Sequence, residues 1–252
     1  MTEFILIRHG ETAWNAEVRI QGHLDSPLND EGLAQALLVG ERLGRESFDH
    51  FYCSDLGRAL QTAQPIADHS GKQPVREPRL RERHLGIFQG LTGPECEARF
   101  PEDYARFRQR DPDHAIPQGE SIRQVHDRVA AWLTEMAARH AGGRIVAVTH
   151  GGVLDAAYRF VNRIALEKTR DFPVLNASVN CIQYDGKGWQ VTYRLWLAPG
   201  HDQPGKKFPV FVWLHGSGGS SSSVPDGLIN ATRTERFAAF VVSPQGLRPP
   251  EG

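Results

Sequence analysis

The sequence has few cysteines, no surplus of positive charge and no long apolar run, and each shortage excludes a class of protein. Its three cysteines are odd in number and widely spaced, which fits reduced thiols in a cytoplasmic protein better than a disulfide framework. The formal net charge is -1 and no segment is strongly basic, so nucleic acid is not an expected partner. No apolar run reaches the roughly 20 residues of a membrane-spanning helix, and the chain enters a predicted strand at once, without a signal peptide.

Recognised metal-binding spacings are absent as well. The eleven histidines are scattered, none of them in an HExxH pattern, and no two cysteines form a CxxC pair. We therefore expect no metal ion and no other cofactor, so that side chains must carry out any chemistry. The 40% hydrophobic and 23% charged residues are typical of a soluble globular protein.

What is present begins with the stretch LIRHGETAWN at residues 6–15. Residues 3–7 predict a short buried strand, which ends abruptly at Arg8, His9 and Gly10. Ligands of open α/β sheets bind at the carboxyl ends of strands, and the planar guanidinium group of Arg8 suits an anion. Taken alone, the stretch fits equally well a strand that ends in a solvated arginine and histidine.

A second stretch, RIVAVTHGG at residues 144–152, repeats this arrangement. Residues 144–148 predict a parallel strand because they are rich in β-branched side chains, and His150 follows closely. Two strands of one α/β pattern would then deliver a histidine each to the same edge of the sheet. With Arg8 beside the first histidine, the pair indicates a pocket for a dianion.

Alternating strands and helices predict a doubly wound α/β fold, with a mostly parallel sheet and helices on both faces. Ser54 is a predicted N-cap of a helix over 55–69. Leu33, Leu37, Gly40 and Leu43 recur at roughly the spacing of a helix that starts near residue 30. Strands at 178–184 and 189–197 flank a hairpin turn, which suggests an antiparallel edge. The other predicted elements are strands at 50–54 and 74–77 and helices at 95–100, 102–109, 120–140 and 153–161.

Four stretches resemble, in order, the signatures of the histidine phosphatase superfamily, also called the phosphoglycerate mutase-like family. They are LIRHGETAWN at 6–15, SDLGRALQTA at 54–63, LRERHLGIFQG at 80–90 and VTHGG at 148–152. The resemblance covers about residues 3–197, and four spaced motifs make it specific. It implies a phosphoglycerate mutase-like fold and a metal-independent phosphomonoester hydrolase with a phosphohistidine intermediate.

The resemblance also implies roles for individual residues, all of them in or next to these motifs. His9 is the expected nucleophile, because neutral imidazole attacks phosphorus near neutral pH, but the sequence does not tell which nitrogen attacks. The predicted catalytic residues are His9, Glu82, Arg8, Arg58 and His150. The predicted substrate-binding residues are Asn15, Gln21, Gly22 and Gly151. Arg58 stands near the start of its helix, where the helix N-terminus also favours an anion.

Glu82 is the expected acid that protonates the leaving alkoxide. It lies between Arg81 and Arg83, so an exposed glutamate in a surface salt bridge is the simpler alternative. The match to the position of the family's general acid favours Glu82 over the other glutamates nearby.

Mutases and phosphatases of this family share the four motifs, so the two activities have to be distinguished by the residues at the rim of the pocket. Cofactor-dependent phosphoglycerate mutases carry a long insertion after the general acid, with paired arginines and a proline run. Here the interval from Glu82 to residue 119 is short, and its arginines at 106, 108 and 110 do not form that pattern. We predict a phosphatase for small phosphorylated metabolites. A phosphoglycerate mutase is the alternative, and a non-catalytic phospho-ligand binding module is disfavoured because both His9 and Glu82 are present.

The family pattern ends near residue 197, so we expect a catalytic domain at 1–197 and an extension at 198–252. Residues 208–219 and 237–246 predict strands and resemble the start of an α/β-hydrolase, where a turn like the one at His215 helps to form an oxyanion hole. No GxSxG nucleophile motif occurs, so esterase activity is not expected. The extension fits a truncated fusion, a gene-boundary artefact or a natural addition whose strands pair with an exposed sheet edge. The physiological substrate and the formation of a homo-oligomer are left open.

Overall fold

The computed structural model describes residues 1–196, 210–212 and 240–244. The strands are β1 (Thr2–Arg8), β2 (His50–Cys53), β3 (Val75–Arg76), β4 (Arg144–Thr149), β5 (Val179–Tyr184), β6 (Trp189–Trp196), β7 (Val210–Val212) and β8 (Phe240–Pro244). The helices are α1 (Ala13–Ala16), α2 (Asp30–Gly44), α3 (Gly57–Ser70), α4 (Gly93–Arg99), α5 (Pro101–Arg108), α6 (Ile122–Arg139) and α7 (Gly151–Asn162). Short 3-10 turns occupy Pro78–Leu80 and Gly86–Phe88.

The strands form one mixed sheet in the order β3-β2-β4-β1-β5-β6-β8-β7. The first four are mutually parallel, whereas β5 and β6 are antiparallel to their neighbours. In the central pair β1 and β4, Arg8 lies opposite Thr149, so both strands end at the same level. This register brings the residues that follow the two strands to the same edge of the sheet.

Helices cover both faces of the sheet, which confirms the predicted α/β fold. Side chains alternate along β1, so that Phe4 and Leu6 join the cluster of α6 and α7, whereas Ile5 and Ile7 join the cluster of α2 and α3. All four side chains are buried. Because β1 and β4 carry apolar layers on both sides, their ends are held rigidly, and rigid elements position functional side chains best.

Several predicted helix details are wrong. Helix α3 begins at Gly57 rather than 55, and its N-cap is Leu56, whose side chain makes no capping hydrogen bond. Ser54 does not cap the helix, because its hydroxyl group lies against His150 instead. Of the four residues that recur along α2, Gly40 and Leu43 are buried, whereas Leu33 and Leu37 are exposed.

The two short helices α4 and α5 pack around an aromatic core of their own. The rings of Phe100, Tyr104 and Phe107 all contact Phe88, which is fully buried. The aromatic side chains of this segment therefore hold α4 and α5 together on the loop that follows Glu82.

Strands β7 and β8 lie within the two predicted strands of the extension. β8 pairs antiparallel with β6, and β7 pairs parallel with β8. The β5–β6 hairpin is therefore not the edge of the described sheet, which corrects the expectation that the hairpin forms an antiparallel edge. His215 lies outside the described residues.

Candidate active site

The predicted catalytic residues converge at the carboxyl ends of β1 and β4. His9 follows β1 and His150 follows β4, and their ring centroids are 5.2 Å apart. Arg58, in the first turn of α3, places its Nε 3.3 Å from His9 Nε2. Glu82 accepts a hydrogen bond from Gly152, two residues beyond His150. His9 and His150 thus share one site, although they are 141 positions apart in the sequence.

The hydrogen bond between His9 and the Gly10 carbonyl determines the tautomer of the His9 ring. His9 is 2% exposed, and its Nδ1 lies 2.7 Å from the Gly10 carbonyl oxygen. A carbonyl oxygen only accepts hydrogen bonds, so Nδ1 carries the proton and Nε2 presents its lone pair. Burial, and then the charges of Arg8 and Arg58, hold the pKa of His9 well below its usual range. The ring is therefore neutral at neutral pH, as a nucleophile must be.

Arg58 is almost completely buried and is held by the loop that precedes α2. Its Nη2 donates to the Gly22 carbonyl at 2.7 Å, and its Nη1 donates to the Leu24 carbonyl at 2.9 Å and to Asp25 Oδ1 at 3.0 Å. Asp25 also accepts hydrogen bonds from the backbone amides of Gly57 and Arg58. These amides of the α3 N-terminus are thus bound to the carboxylate of Asp25, which is the anion that the helix start holds in this structure.

His150 is fully buried and is oriented by Ser54. The Ser54 hydroxyl group accepts a hydrogen bond from the Leu56 amide at 3.4 Å and lies 2.7 Å from His150 Nε2. This arrangement favours donation from Ser54 to Nε2, which leaves the proton of His150 on Nδ1. That Nδ1 is buried without a hydrogen-bond partner among the described residues. Burial, and then the charge of Arg58, lower the pKa of His150, so the ring is a neutral donor.

The carboxylate of Glu82 is fixed at the N-terminus of α7. Gly152 N donates to both of its oxygens, at 3.1 and 3.0 Å, and Arg83 N donates to one of them at 2.7 Å. The Glu82 carbonyl oxygen accepts from His23 Nε2 at 2.8 Å and from Arg128 at 3.1 Å. Both the backbone and the side chain of Glu82 are therefore held in place by hydrogen bonds.

The predicted substrate-binding residues Asn15, Gln21 and Gly22 each have different hydrogen-bond partners. Asn15 Oδ1 accepts from Thr12 N at 3.2 Å and from Asn176 Nδ2 at 3.1 Å, so the side-chain oxygen is held by the protein. Gln21 donates to Thr12 Oγ1 at 2.8 Å and supports the loop. Gly22 has a left-handed φ of 57°, which glycine adopts without strain and which directs its carbonyl to Arg58.

Arg8 and Gly151 complete the neighbourhood of His9. Arg8 Nη1 donates to the Val174 carbonyl at 2.5 Å. A Cβ atom at Gly151 would lie 3.4 Å from Arg8 Nε, so the start of α7 passes directly beside this guanidinium group. The sequence did not identify Asp25, Ser54 or Asn176 as parts of the site. Ser54 stands inside the motif at 54–63, but no motif in the sequence points to Asp25 or Asn176.

The residues that the structure describes show neither a metal-binding cluster nor a membrane-spanning helix. Among these residues, no group of three or more histidine, cysteine, aspartate or glutamate side chains is arranged to hold a metal ion. None of the helices in the same residues combines the length and the apolar character required to cross a bilayer.

Known proteins resemble this chain over the residues that form the site. Residues 4–196 match the histidine phosphatase superfamily (branch 1). The chain is 46% identical to phosphoglycerate mutase-like protein 4 of Arabidopsis thaliana over 198 residues, which are 77% of this chain and 84% of that protein. It is 43% identical to the metal-independent phosphoserine phosphatase of Arabidopsis thaliana over 192 residues, which are 75% of this chain and 79% of that protein.

A solved structure shows the same fold. The mycobacterial glucosyl-3-phosphoglycerate phosphatase superimposes with a TM-score of 0.67 at 30% identity, over 75% of this chain and 96% of the other. The chain belongs to the histidine phosphatase superfamily, branch 1, and is a phosphomonoester hydrolase of the histidine phosphatase type.

Proposed function

We propose that this enzyme hydrolyses small phosphorylated metabolites, with His9 as the nucleophile and Glu82 as the acid and base. The observation that supports this most strongly is the buried His9 ring, which is neutral and presents Nε2 to Arg58 at 3.3 Å. A neutral imidazole beside a buried guanidinium group is suited to attack on a phosphoryl group whose negative charge the arginine binds. Glu82, on the neighbouring helix terminus, supplies the proton that the leaving group needs.

In the first step, His9 Nε2 attacks phosphorus. The Nε2–P bond forms while the ester P–O bond breaks, and the proton of the Glu82 carboxyl group moves to the leaving alkoxide. The Nδ1–H group stays bound to the Gly10 carbonyl, which stabilises the positive charge that the phosphorylated ring carries.

In the second step, water attacks the phosphorus atom of phosphorylated His9, and a new O–P bond forms. Glu82, now a carboxylate, accepts a proton from this water, the P–N bond breaks and inorganic phosphate leaves. Arg8, Arg58 and the Nδ1–H group of His150 stabilise the equatorial oxygens in both steps. Because these donors are already buried and oriented, little reorganisation is needed when charge develops.

Two substitutions test the roles of His9 and Glu82. His9→Ala should abolish both turnover and the phosphoenzyme that acid-quenched, phosphate-labelled samples would contain. Glu82→Gln should slow an alkyl phosphate such as phosphoserine by about 10²-fold or more, and nitrophenyl phosphate much less, because nitrophenolate leaves without a proton. Equal losses on both substrates would contradict the acid role.

Matched substitutions outside the site serve as controls. His69→Ala changes an exposed histidine near the end of α3, and Glu95→Gln changes a glutamate that pairs with Arg19 at the surface. Both should retain turnover on both substrates. Incubation with 3-phosphoglycerate separates hydrolysis from isomerisation, because a phosphatase releases inorganic phosphate and a mutase forms 2-phosphoglycerate.

We also propose that residues 1–197 form the catalytic domain of a cytoplasmic enzyme and that residues 198–252 are an extension. The family match over residues 4–196 supports this division, and the three buried free cysteines suit a reducing compartment. A chain that ends at Ala198 should keep its turnover number. Loss of turnover with an unchanged circular dichroism spectrum would mean that the extension contributes to the site.

A further inference from the structure

The loop that carries Glu82 has little regular structure of its own. Residues 81–85 lie between the two 3-10 turns, Pro78–Leu80 and Gly86–Phe88, and belong to none of the described helices and strands. A catalytic group has to be held within about 0.5 Å of its productive position, by residues whose own side chains are fixed. The support of this loop therefore has to come from neighbouring elements.

Arg128 of α6 contacts the backbone of this region at two points. Its Nη1 donates to the Arg79 carbonyl at 2.7 Å, and its Nη2 donates to the Glu82 carbonyl at 3.1 Å. The helix is anchored in the core next to Arg128, because the side chains of Val129 and Trp132 are buried. Arg128 thus connects a well-packed helix to the backbone of the acid.

Glu120, which precedes the N-cap of α6, binds both Arg128 and the loop. Its carboxylate accepts from Arg128 Nε at 2.9 Å and, through Oε2, from Arg128 Nη2 at 3.1 Å. The same Oε2 accepts from the His84 amide at 2.8 Å, and the Glu120 amide donates to the His84 carbonyl at 2.8 Å. The Glu120 carbonyl accepts from Arg83 Nε at 2.8 Å. Three consecutive residues of the loop, 82–84, are therefore bound to this one pair of side chains and its backbone.

One peptide group transmits this support to the carboxylate of Glu82. The peptide group between Glu82 and Arg83 is planar and trans, so its carbonyl oxygen and its N–H group point in opposite directions. Arg128 holds the oxygen together with His23 Nε2, which lies 2.8 Å away. The N–H group donates to Glu82 Oε1 at 2.7 Å. A rotation of the peptide plane away from Arg128 therefore also turns the N–H group away from the carboxylate.

The pair of Arg128 and Glu120 is partly shielded from water, which strengthens it. Their side chains are 19% and 24% exposed, and two-point bonds between guanidinium and carboxylate groups are about twice as strong as neutral hydrogen bonds. Burial raises the pKa of Glu120, but the hydrogen bonds from Arg128 and from the His84 amide outweigh burial, so this pKa is lowered and the carboxylate is charged at neutral pH. A lysine in place of Arg128 would keep the charge but lose the planar fork of donors.

We propose that Arg128 and Glu120 are positioning residues for the acid: they orient the peptide group between Glu82 and Arg83, and this group holds the Glu82 carboxylate at the leaving group. The reaction as proposed needs neither side chain as a reactant, so both act on it through Glu82. The inference rests on the proposed function, because the pair affects turnover only if Glu82 protonates the leaving alkoxide.

The test uses the full chain and the variant Arg128→Lys. With phosphoserine, kcat should fall at least about tenfold, because a misplacement of about 1 Å can cost about 10²-fold in rate. With nitrophenyl phosphate, kcat should fall by no more than about threefold, because nitrophenolate leaves without a proton. Equal losses on the two substrates, or an unchanged kcat on phosphoserine, would contradict a role through the acid.

Glu120→Gln is an independent variant, since an amide keeps the shape of the carboxylate but loses its charge and one acceptor oxygen. It should change the ratio of the two kcat values in the same direction as Arg128→Lys. Arg139→Lys is the matched control, because Arg139 belongs to the same helix and pairs with Glu135 at the surface. It should leave both kcat values unchanged. A change of the ratio in this control as large as in Arg128→Lys would overturn the assignment.

Amide hydrogen exchange keeps the positioning pair separate from the proposed reaction. A peptide that contains residues 81–85 should exchange faster in Arg128→Lys than in the unmodified chain, because the hydrogen bond from the His84 amide to Glu120 opens more often. Exchange in α3 should be the same in both chains. If exchange at 81–85 rises but Glu82→Gln shows no dependence on the leaving group, the proposed acid role fails and the positioning pair stands. Unchanged exchange at 81–85 would refute the positioning pair whatever the turnover.

Discussion

A methyl group at Gly152 should impair catalysis without harming the fold. A Cβ atom built there would lie 2.2 Å from Glu82 Oε1, about 0.8 Å short of the 3.0 Å below which such contacts essentially never occur. The atom it meets is the end of a flexible side chain, so the carboxylate can move away. Gly152 lies in α7, where alanine is a better helix former than glycine. We therefore expect Gly152→Ala to unfold at the same temperature as the parent chain or slightly above it.

The same displacement should be costly for the reaction. Glu82 would lose the Gly152 amide and leave the position from which it protonates the ester oxygen. A misplacement of about 1 Å can cost about 10²-fold in rate, so we expect kcat on phosphoserine to fall by about that factor. Nitrophenyl phosphate needs little help from an acid and should be hydrolysed at a rate closer to that of the parent enzyme.

Steady-state kinetics with both substrates, combined with a double-mutant cycle, decides the question. In a Glu82→Gln background the acid is already lost, so adding Gly152→Ala should cost little more. Full additivity of the two losses would refute the idea that the methyl group acts through Glu82. An unchanged kcat on phosphoserine in the single variant would do the same.

Three further predictions follow from the contacts of the buried site. Asp25→Asn should lower kcat/KM about tenfold, and equally for phosphoserine and nitrophenyl phosphate. The substitution removes a partner of Arg58 but leaves Glu82 in place. Ser54→Ala should lower kcat and change the imidazole NMR shifts of His150, since Nε2 loses its partner. The folded-state pKa values of His9 and His150 lie below their unfolded values, so the unfolded chain binds more protons and stability falls as pH drops below about 6.5. Thermal melts at pH 7.5 and 5.5 should show this decrease, and it should be smaller in the His150→Gln variant.

Much of this protein follows from patterns that are local in the sequence. The β-branched run before His150 and the apolar run before Arg8 predicted β4 and β1, and both are buried on two faces. Parallel strands of an α/β sheet end at one edge, so the meeting of His9 and His150 could be expected before any coordinates. The helix predicted at 120–140 likewise forms as α6, Ile122–Arg139.

Predictions that depended on a choice between nearby partners were less reliable. Ser54 had the right residue type for an N-cap, but His150 lies 2.7 Å away and takes its hydroxyl group instead. Leu33, Leu37, Gly40 and Leu43 have helical spacing along α2, but only Gly40 and Leu43 of these four are buried. In both helices the local sequence was compatible with more than one arrangement of side chains, and tertiary packing selected the one that forms.

The sequence by itself determined the fold family and brought the two histidines to one sheet edge, because strand ends and motif spacing are encoded over a few residues at a time. The tertiary structure alone decided how those groups are tuned. Asp25 binds the start of α3 from 32 positions away, and Asn176 reaches the His9 carbonyl from 167 positions away. No local pattern encodes such contacts, because a hydrogen-bond partner is selected by distance in space, which only the packed loops establish.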